Sequence, residues 1–190
     1  MCGRYVIFTD PASKTLTEIV REAEHSQMGV PLRVGEIFPT NYAPVLQAAG
    51  ACAMKWGFPH FRGSGVIINA VSETAAQKRM FAASLQTRRC VVPASGFFEW
   101  KVNSASKTKT KYLFTLPEKQ ELYMAGLWNE FAGENRFVIL TTKPNQSVAD
   151  IHNRMPLVLM QNQIRSWLLD TDAAMQLLKQ TPPLLDRSAV

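Results

Sequence analysis

The chain opens Met1-Cys2-Gly3-Arg4, and Cys2 is the residue with the most chemistry open to it. Cysteine at position 2 is small enough for the initiator Met to be removed, which leaves a terminal cysteine with a free α-amine. Amine and thiol then sit on adjacent carbons. The amine of such a 1,2-aminothiol condenses with an aldehyde to an imine, and the thiolate closes onto the imine carbon as a thiazolidine. That ring is much harder to hydrolyse than the imine. An α-amine pKa of ~7.7–8.0 and a thiol pKa of ~8.5 provide reactive forms of both at neutral pH. The same pair, with the amine as base, also suits a hydrolytic nucleophile. A cysteine at position 2 proves neither, so the rest of the chain has to supply an acid, a base and an orienting group.

Three polar residues stand in apolar surroundings. Asn69 follows Val66-Ile67-Ile68 and places an amide at a strand end. Glu99 lies in Gly96-Phe97-Phe98-Glu99-Trp100, where desolvation among aromatics would raise its pKa and let it both give and take a proton near neutrality. His152, in Asp150-Ile151-His152-Asn153-Arg154-Met155-Pro156, fits an ordered loop site. Each has an ordinary reading beside the chemical one: a strand-end clamp for Asn69, a wet sheet face for Glu99, a structural imidazole for His152. His25 and His60 read as surface residues. The remaining cysteines, Cys52 and Cys90, sit in strand-like contexts and read as small buried hydrophobes. Three widely spaced cysteines form neither a disulfide framework nor a metal-ligand spacing, so no metal or cofactor is expected.

These groups must be carried by a fold, and the pattern of the chain suggests α+β. Asp10-Pro11 is a helix start, with Leu16, Ile19, Val20 and Ala23 on one face of a helix to about Ala23. The stretch 31–44 reads as loop, 73–84 as helix, and 164–169 and 173–178 as closing helices. Strands are expected over 54–58, 66–70, 89–92, 96–101, 112–116, 122–128 and 136–142, and one helical turn over 147–151. Strands dominate the middle and helices the ends, which points to one domain over 1–190, an antiparallel barrel-like sheet flanked by helices. No apolar run approaches the ~18 residues that span a bilayer, and the N-terminus lacks a secretory pattern, so an intracellular protein without a membrane partner is expected.

The net charge of +6 favours a polyanionic partner. Lys101, Lys107, Lys109 and Lys111, with no acidic residue between them, read as a solvated hairpin or as an edge that tracks phosphates.

Several motifs occur in order: Met1-Cys2-Gly3-Arg4, Asn41-Tyr42-Ala43-Pro44, Trp56-Gly57-Phe58, Asn69-Ala70-Val71-Ser72-Glu73-Thr74, Ser95 to Lys101, Met124-Ala125-Gly126-Leu127-Trp128 and Ile151 to Pro156. Together they resemble the SRAP family, the SOS response-associated peptidases or abasic-site processing proteins, over almost the whole chain. The resemblance implies the SRAP fold and recognition of abasic sites in single-stranded DNA with covalent linkage to them; a monomer is the default expectation for the chain. It implies that Cys2 supplies amine and thiolate, Asn69 positions it, Glu99 shuttles protons, and His152 assists sugar ring opening. It implies DNA contacts from Arg4, Asn41 and Arg154, and apolar stacking or wedging from Pro44, Trp56 and Met80; a core tryptophan is the other reading of Trp56. The implied place is the cytoplasm, on the nucleoid, for a bacterial protein and the nucleus for a eukaryotic one.

Two departures stand out. Val71 occupies a position where the family commonly has Arg, with Lys78 or Arg79 as possible replacements for its charge. The chain also stops at Asp186-Arg187-Ser188-Ala189-Val190, where the family usually continues. Two further readings remain open: an N-terminal-cysteine peptidase acting on itself, and a non-covalent single-strand binder, which leaves Cys2, Glu99 and His152 unexplained.

Overall fold

The computed structural model describes residues 2–9, 14–26, 29, 31–60, 63–103 and 106–190. The strands are β1 (Tyr5–Ile7), β2 (Gly35–Ile37), β3 (Tyr42–Gln47), β4 (Gly50–Trp56), β5 (Phe58–Pro59), β6 (Val66–Ile67), β7 (Asn69–Val71), β8 (Arg89–Ala94), β9 (Gly96–Val102), β10 (Lys109–Thr115), β11 (Leu122–Phe131), β12 (Glu134–Thr142), β13 (Met155–Pro156), β14 (Val158–Leu159) and β15 (Asp186–Ala189). The helices are α1 (Lys14–Ser26), α2 (Ser72–Ala75), α3 (Arg79–Thr87), α4 (Ile164–Leu169) and α5 (Thr171–Leu177). Among the described residues no helix is long and apolar enough to cross a membrane.

The α+β reading holds, and the topology refines it. Strands β4, β3, β8, β11 and β12 pair in a ring that closes through β11–β12 and β12–β4. All pairings around it are antiparallel except β12–β4, which is parallel and makes the barrel mixed. A second, five-stranded antiparallel sheet runs β15-β10-β9-β1-β2. Alternating residues of the barrel strands feed two apolar clusters. One joins Met54, Trp56, Val92 and Ile139 to Tyr5, Phe97 and Phe114 of the second sheet. The other joins Val91, Leu127 and Val138 to Phe81, Leu85, Trp167 and Ala174 of the helices. The period of two that splits a strand's side chains between faces is what allows both sides of the barrel to be covered.

Three local expectations are corrected. The stretch 31–44 is not a loop: it holds β2 and the start of β3, with Pro44 paired opposite Ala53. A proline argues against a strand because it removes a ladder donor, and here the sheet tolerates it. Helix 73–84 is broken in two, because Lys78 adopts an extended conformation (φ −81°, ψ 118°) between α2 and α3. Neither Gly nor Pro marks that break in sequence. The first of the expected barrel strands begins at Gly50 rather than at Met54. Helix α1 buries Leu16, Ile19, Val20 and Ala23 as its spacing requires, while its expected start at Asp10-Pro11 lies outside the described residues.

Candidate active site

Strand β12 organises the site. Its first half pairs with β4 (Phe137 opposite Trp56), and its second half pairs on the same parallel register with β7 (Ile139 opposite Asn69, Thr141 opposite Val71). The chain leaves the sheet after Trp56 and returns as β7 to continue the ladder along β12. That return sets Asn69 at the mouth of the first apolar cluster. Across the end of β12, Thr142 pairs with Met155 of β13, so the segment His152-Asn153-Arg154 enters from the opposite edge.

Cys2 precedes β1 and is fully buried. The Asn69 side-chain N–H₂ donates to the Cys2 carbonyl at 3.0 Å, and the Cys2 thiol lies 3.8 Å from the Arg4 carbonyl. Oδ1 of Asn69 is buried and has no hydrogen-bond partner among the described residues. The Asn69 amide thus contacts the Cys2 main chain and keeps one acceptor over.

Glu99 comes from β9, where burial runs unbroken through Gly96-Phe97-Phe98-Glu99. Strand alternation puts Glu99 on the side of Phe97, which stacks on Phe114 with ring centroids 5.1 Å apart. Glu99 is 3 % exposed, so the wet-face reading is excluded. Burial raises its pKa above the ordinary carboxylate range, and His152 acts on it in the opposite direction. The Cys2 thiol is likewise pushed up, first by burial and then by the Glu99 charge. These mutual influences mark Cys2, Glu99 and His152 as one electrostatic group, drawn from three separate parts of the chain.

His152 closes a turn in which its N–H donates to the Val148 carbonyl at 3.0 Å. Its Nδ1 lies 3.0 Å from the Arg154 N–H and 3.2 Å from the Arg154 carbonyl oxygen, so the Arg154 main chain holds the ring through this nitrogen. Arg154 then reaches across β12. Its guanidinium donates to the Thr141 carbonyl and pairs with both Glu73 oxygens, at 2.8 and 2.6 Å. That bidentate pair holds the Glu73 carboxyl down at about 2.

Arg4 faces the other side of the second sheet. Its guanidinium lies 4.3 Å from the Phe38 ring centroid and 5.0 Å from that of Trp100, and it pairs with Glu36 at 3.3 Å. Glu36 also binds Lys111 at 2.5 Å, and the Lys111 ammonium sits 3.9 Å from the Phe98 centroid. Lys101 pairs with Asp150 at 2.9 Å. Two of the four clustered lysines are thus strand residues with carboxylate partners, not members of a freely solvated loop.

The remaining expected contacts lie elsewhere. Trp56 is fully buried, edge-on to Tyr5 at 5.2 Å, and its indole N–H donates to the Ile68 carbonyl at 3.0 Å. It is a core residue in this structure, with no ring face open to a base. Pro44 is buried within β3. Met80 packs, half-buried, on the second cluster. Asn41 accepts the Phe38 N–H at 3.0 Å and shapes the turn between β2 and β3. Cys90 is buried as expected, whereas Cys52 is only half-buried. Sequence reasoning missed Glu73, Glu36 and Trp100 as site neighbours. Trp100 and Glu73 both lay inside motifs already singled out, but no spacing links Glu73 to Arg154, 81 residues away. Among the described residues no cluster of three or more His, Cys, Asp or Glu side chains is placed to hold a metal ion.

Comparison with known proteins agrees with this architecture. Two crystal structures, from Bordetella bronchiseptica and Bacteroides thetaiotaomicron, superpose on the whole chain with TM-scores of 0.78 and 0.77 at 22 % identity, over 99 % and 92 % of their own chains. The abasic site processing protein YoqW of Bacillus subtilis is 31 % identical, aligned over 88 % of this chain and 80 % of its own. YoaM of the same organism, also named an abasic site processing protein, is 36 % identical over 88 % of this chain and 79 % of its own. The family model for SOS response associated peptidase (SRAP) matches residues 1–188, and the chain belongs to that family.

Proposed function

We propose that this chain captures abasic sites in single-stranded DNA by covalent bonding through Cys2. The observation that carries the reading is the convergence of a buried Cys2, held through its carbonyl by Asn69, with a raised-pKa Glu99 and a His152 held through Nδ1 by the Arg154 main chain. The printed names of the relatives support the same class of substrate.

While Met1 is attached, the Cys2 nitrogen is an amide and cannot condense with anything. Its removal exposes an α-amine with a pKa of ~7.7–8.0, partly unprotonated at neutral pH. An abasic sugar in its open form presents an aldehyde at C1′. The amine adds to that carbon, and loss of water gives an imine. The Cys2 sulfur then bonds to the same carbon, and the thiol proton ends on nitrogen, closing the thiazolidine. Glu99 is the group to take the proton from the attacking amine and return it to the departing hydroxyl, since its raised pKa keeps both forms accessible near neutrality. The His152 imidazole serves as proton donor to the ring oxygen of the sugar as the closed form opens. Arg154 and Arg4 are the cations that face the strand's phosphates, each after exchanging its present carboxylate partner.

The test is intact mass after incubation with a single-stranded oligonucleotide that carries one abasic site. A one-to-one adduct that survives heat, lacks Met1 and maps to Cys2 is the expected result. A heat-stable adduct of the same yield in Cys2→Ala would overturn the assignment of the nucleophile. Loss of Met1 without any adduct would leave self-directed peptidase chemistry as the better reading.

A further inference from the structure

Beside the site lies a cavity of about 540 Å³ that no step above uses. It opens where α2 leaves β7 and β12 ends, so its lining begins at Ser72, the residue after Val71. Pro144, Met175 and Leu178 give it an apolar floor, and Lys143 and Lys179 stand at its rim. Both lysines are exposed, and neither is in an ion pair among the described residues. Glu73 is the one carboxylate among its described lining residues, and both of its oxygens are already bound by Arg154. The cavity therefore has two uncompensated positive charges over an apolar surface, in a volume of the range that holds a small ligand.

We infer that this cavity is a nucleotide subsite for the lesion-bearing strand: one unmodified base rests on Met175 and Leu178, and its flanking phosphates are held by Lys143 and Lys179. The inference rests on the capture reading above and deepens it. The register supports it: Thr141 pairs with Val71, and Lys143 lies two residues further along the chain, just past the end of β12. A cation is thus supplied from the residue that follows β12, close to where Val71 provides none. Lys78 and Arg79, the replacements expected from sequence, do not line the cavity. Combining cations for backbone with an apolar surface for bases is how single strands are gripped without sequence preference.

The test compares the wild type with a Lys143→Glu/Lys179→Glu pair and with a control pair of equal charge, Lys14→Glu/Lys119→Glu. Binding of an unmodified single-stranded oligonucleotide is followed by fluorescence anisotropy as salt is raised, in a Cys2→Ala background where no covalent step occurs. The cavity pair should lower the slope of log affinity against log salt by about 1.4, at ~0.7 per phosphate on a single strand. In the Cys2 background, the strand concentration for half-maximal adduct rate should rise about tenfold, with the rate at saturation unchanged. Trimming the oligonucleotide from one end only should abolish the difference between wild type and variant. Lys143→Gln/Lys179→Gln should move every readout in the same direction, which separates the effect from any misfolding caused by charge reversal. A salt slope equal to that of the control pair, or a defect indifferent to which end is trimmed, overturns the subsite. Absence of adducts from every protein, with the lysine-dependent slope intact, overturns the capture reading and leaves the subsite standing.

Discussion

Glu99 is held in a place that does not suit a carboxylate. It is 3 % exposed, on the same face of β9 as Phe97, and burial raises its pKa. An acid whose folded pKa exceeds its unfolded value of ~4.3 has a fold stabilised by the protonated form. Stability is therefore lost as pH rises from the unfolded value through the raised folded one. Glu99→Gln should have a higher melting temperature than the wild type at pH 7–8 and should lose that advantage at pH 4. The same variant should form adduct ~10²–10⁴-fold more slowly, the usual loss when a proton-transfer group is removed. A variant that is both slower and less stable at neutral pH would contradict the desolvation argument. Glu73 behaves oppositely. Its folded pKa of about 2 lies below its ordinary 4.5, so its stabilisation is complete above 4.5 and disappears as pH falls towards 2. Its side chain is 36 % exposed, so solvent screening keeps the effect small. Melting curves of Glu73→Gln and wild type should differ at pH 6–7 and converge by pH 2–3.

At the level of elements, two close approaches decide whether the barrel stays closed around the site. Gly126 of β11 faces its neighbours so tightly that an added Cβ would lie 2.9 Å from the Cys90 sulfur and 3.1 Å from the Val138 carbonyl oxygen. Gly126→Ala should therefore cost ~1–3 kcal/mol in urea unfolding, through displacement of β8 and β12. The helices depend on Arg89 at the start of β8. It donates to the carbonyls of Leu85 (2.8 Å), Gln86 (2.7 Å), Trp167 (2.5 Å) and Leu168 (3.3 Å), and so satisfies the C-terminal ends of α3 and α4 together. Arg89→Ala leaves those carbonyls buried or half-buried without a donor and should lower stability by ~3 kcal/mol or more. Because α3, α4 and α5 cover the barrel on the side of the second cluster, away from Cys2, adduct chemistry at low temperature should persist in this variant while its unfolding midpoint falls.

The molecule as a whole carries a net charge of +6, and several of its cations near the site are already paired: Arg4 and Lys111 with Glu36, Arg154 with Glu73, Lys101 with Asp150. A phosphate backbone has to displace those carboxylates, so the molecule's attraction for a strand is weaker than its formal charge suggests. Non-covalent binding should fall steeply between 50 and 200 mM salt, because each phosphate contact releases counterions. The adduct, once formed, should be indifferent to 1 M salt, since covalent bonds carry no such term. A gel run after a high-salt wash checks both halves of this expectation, and an adduct removed by salt would contradict covalent capture.

The sequence by itself determined the chemistry available and the class of fold. Amino-acid identity at Cys2, Asn69, Glu99 and His152 is a local property, and so is the spacing that buried one side of α1; whether Glu99 lay on a wet or an apolar face was left open by its run of neighbours and was decided by packing. The ordered motifs were enough to indicate the family, since they run along the chain in a single reading direction. The tertiary structure alone decided which of these residues meet. The parallel return of β7 onto β12 is a topological event, and it brings Asn69 to the Cys2 carbonyl across 67 residues. It also decided that Trp56 belongs to the core, that Arg154 and Arg4 already have carboxylate partners, and that Lys143 and Lys179 share one cavity. A tryptophan in a strand has the same local pattern whether its ring meets a base or Tyr5 and Phe137. Only the packing of distant segments removes water from one face rather than another, and that free energy is absent from any window of sequence short enough to be read by period or motif.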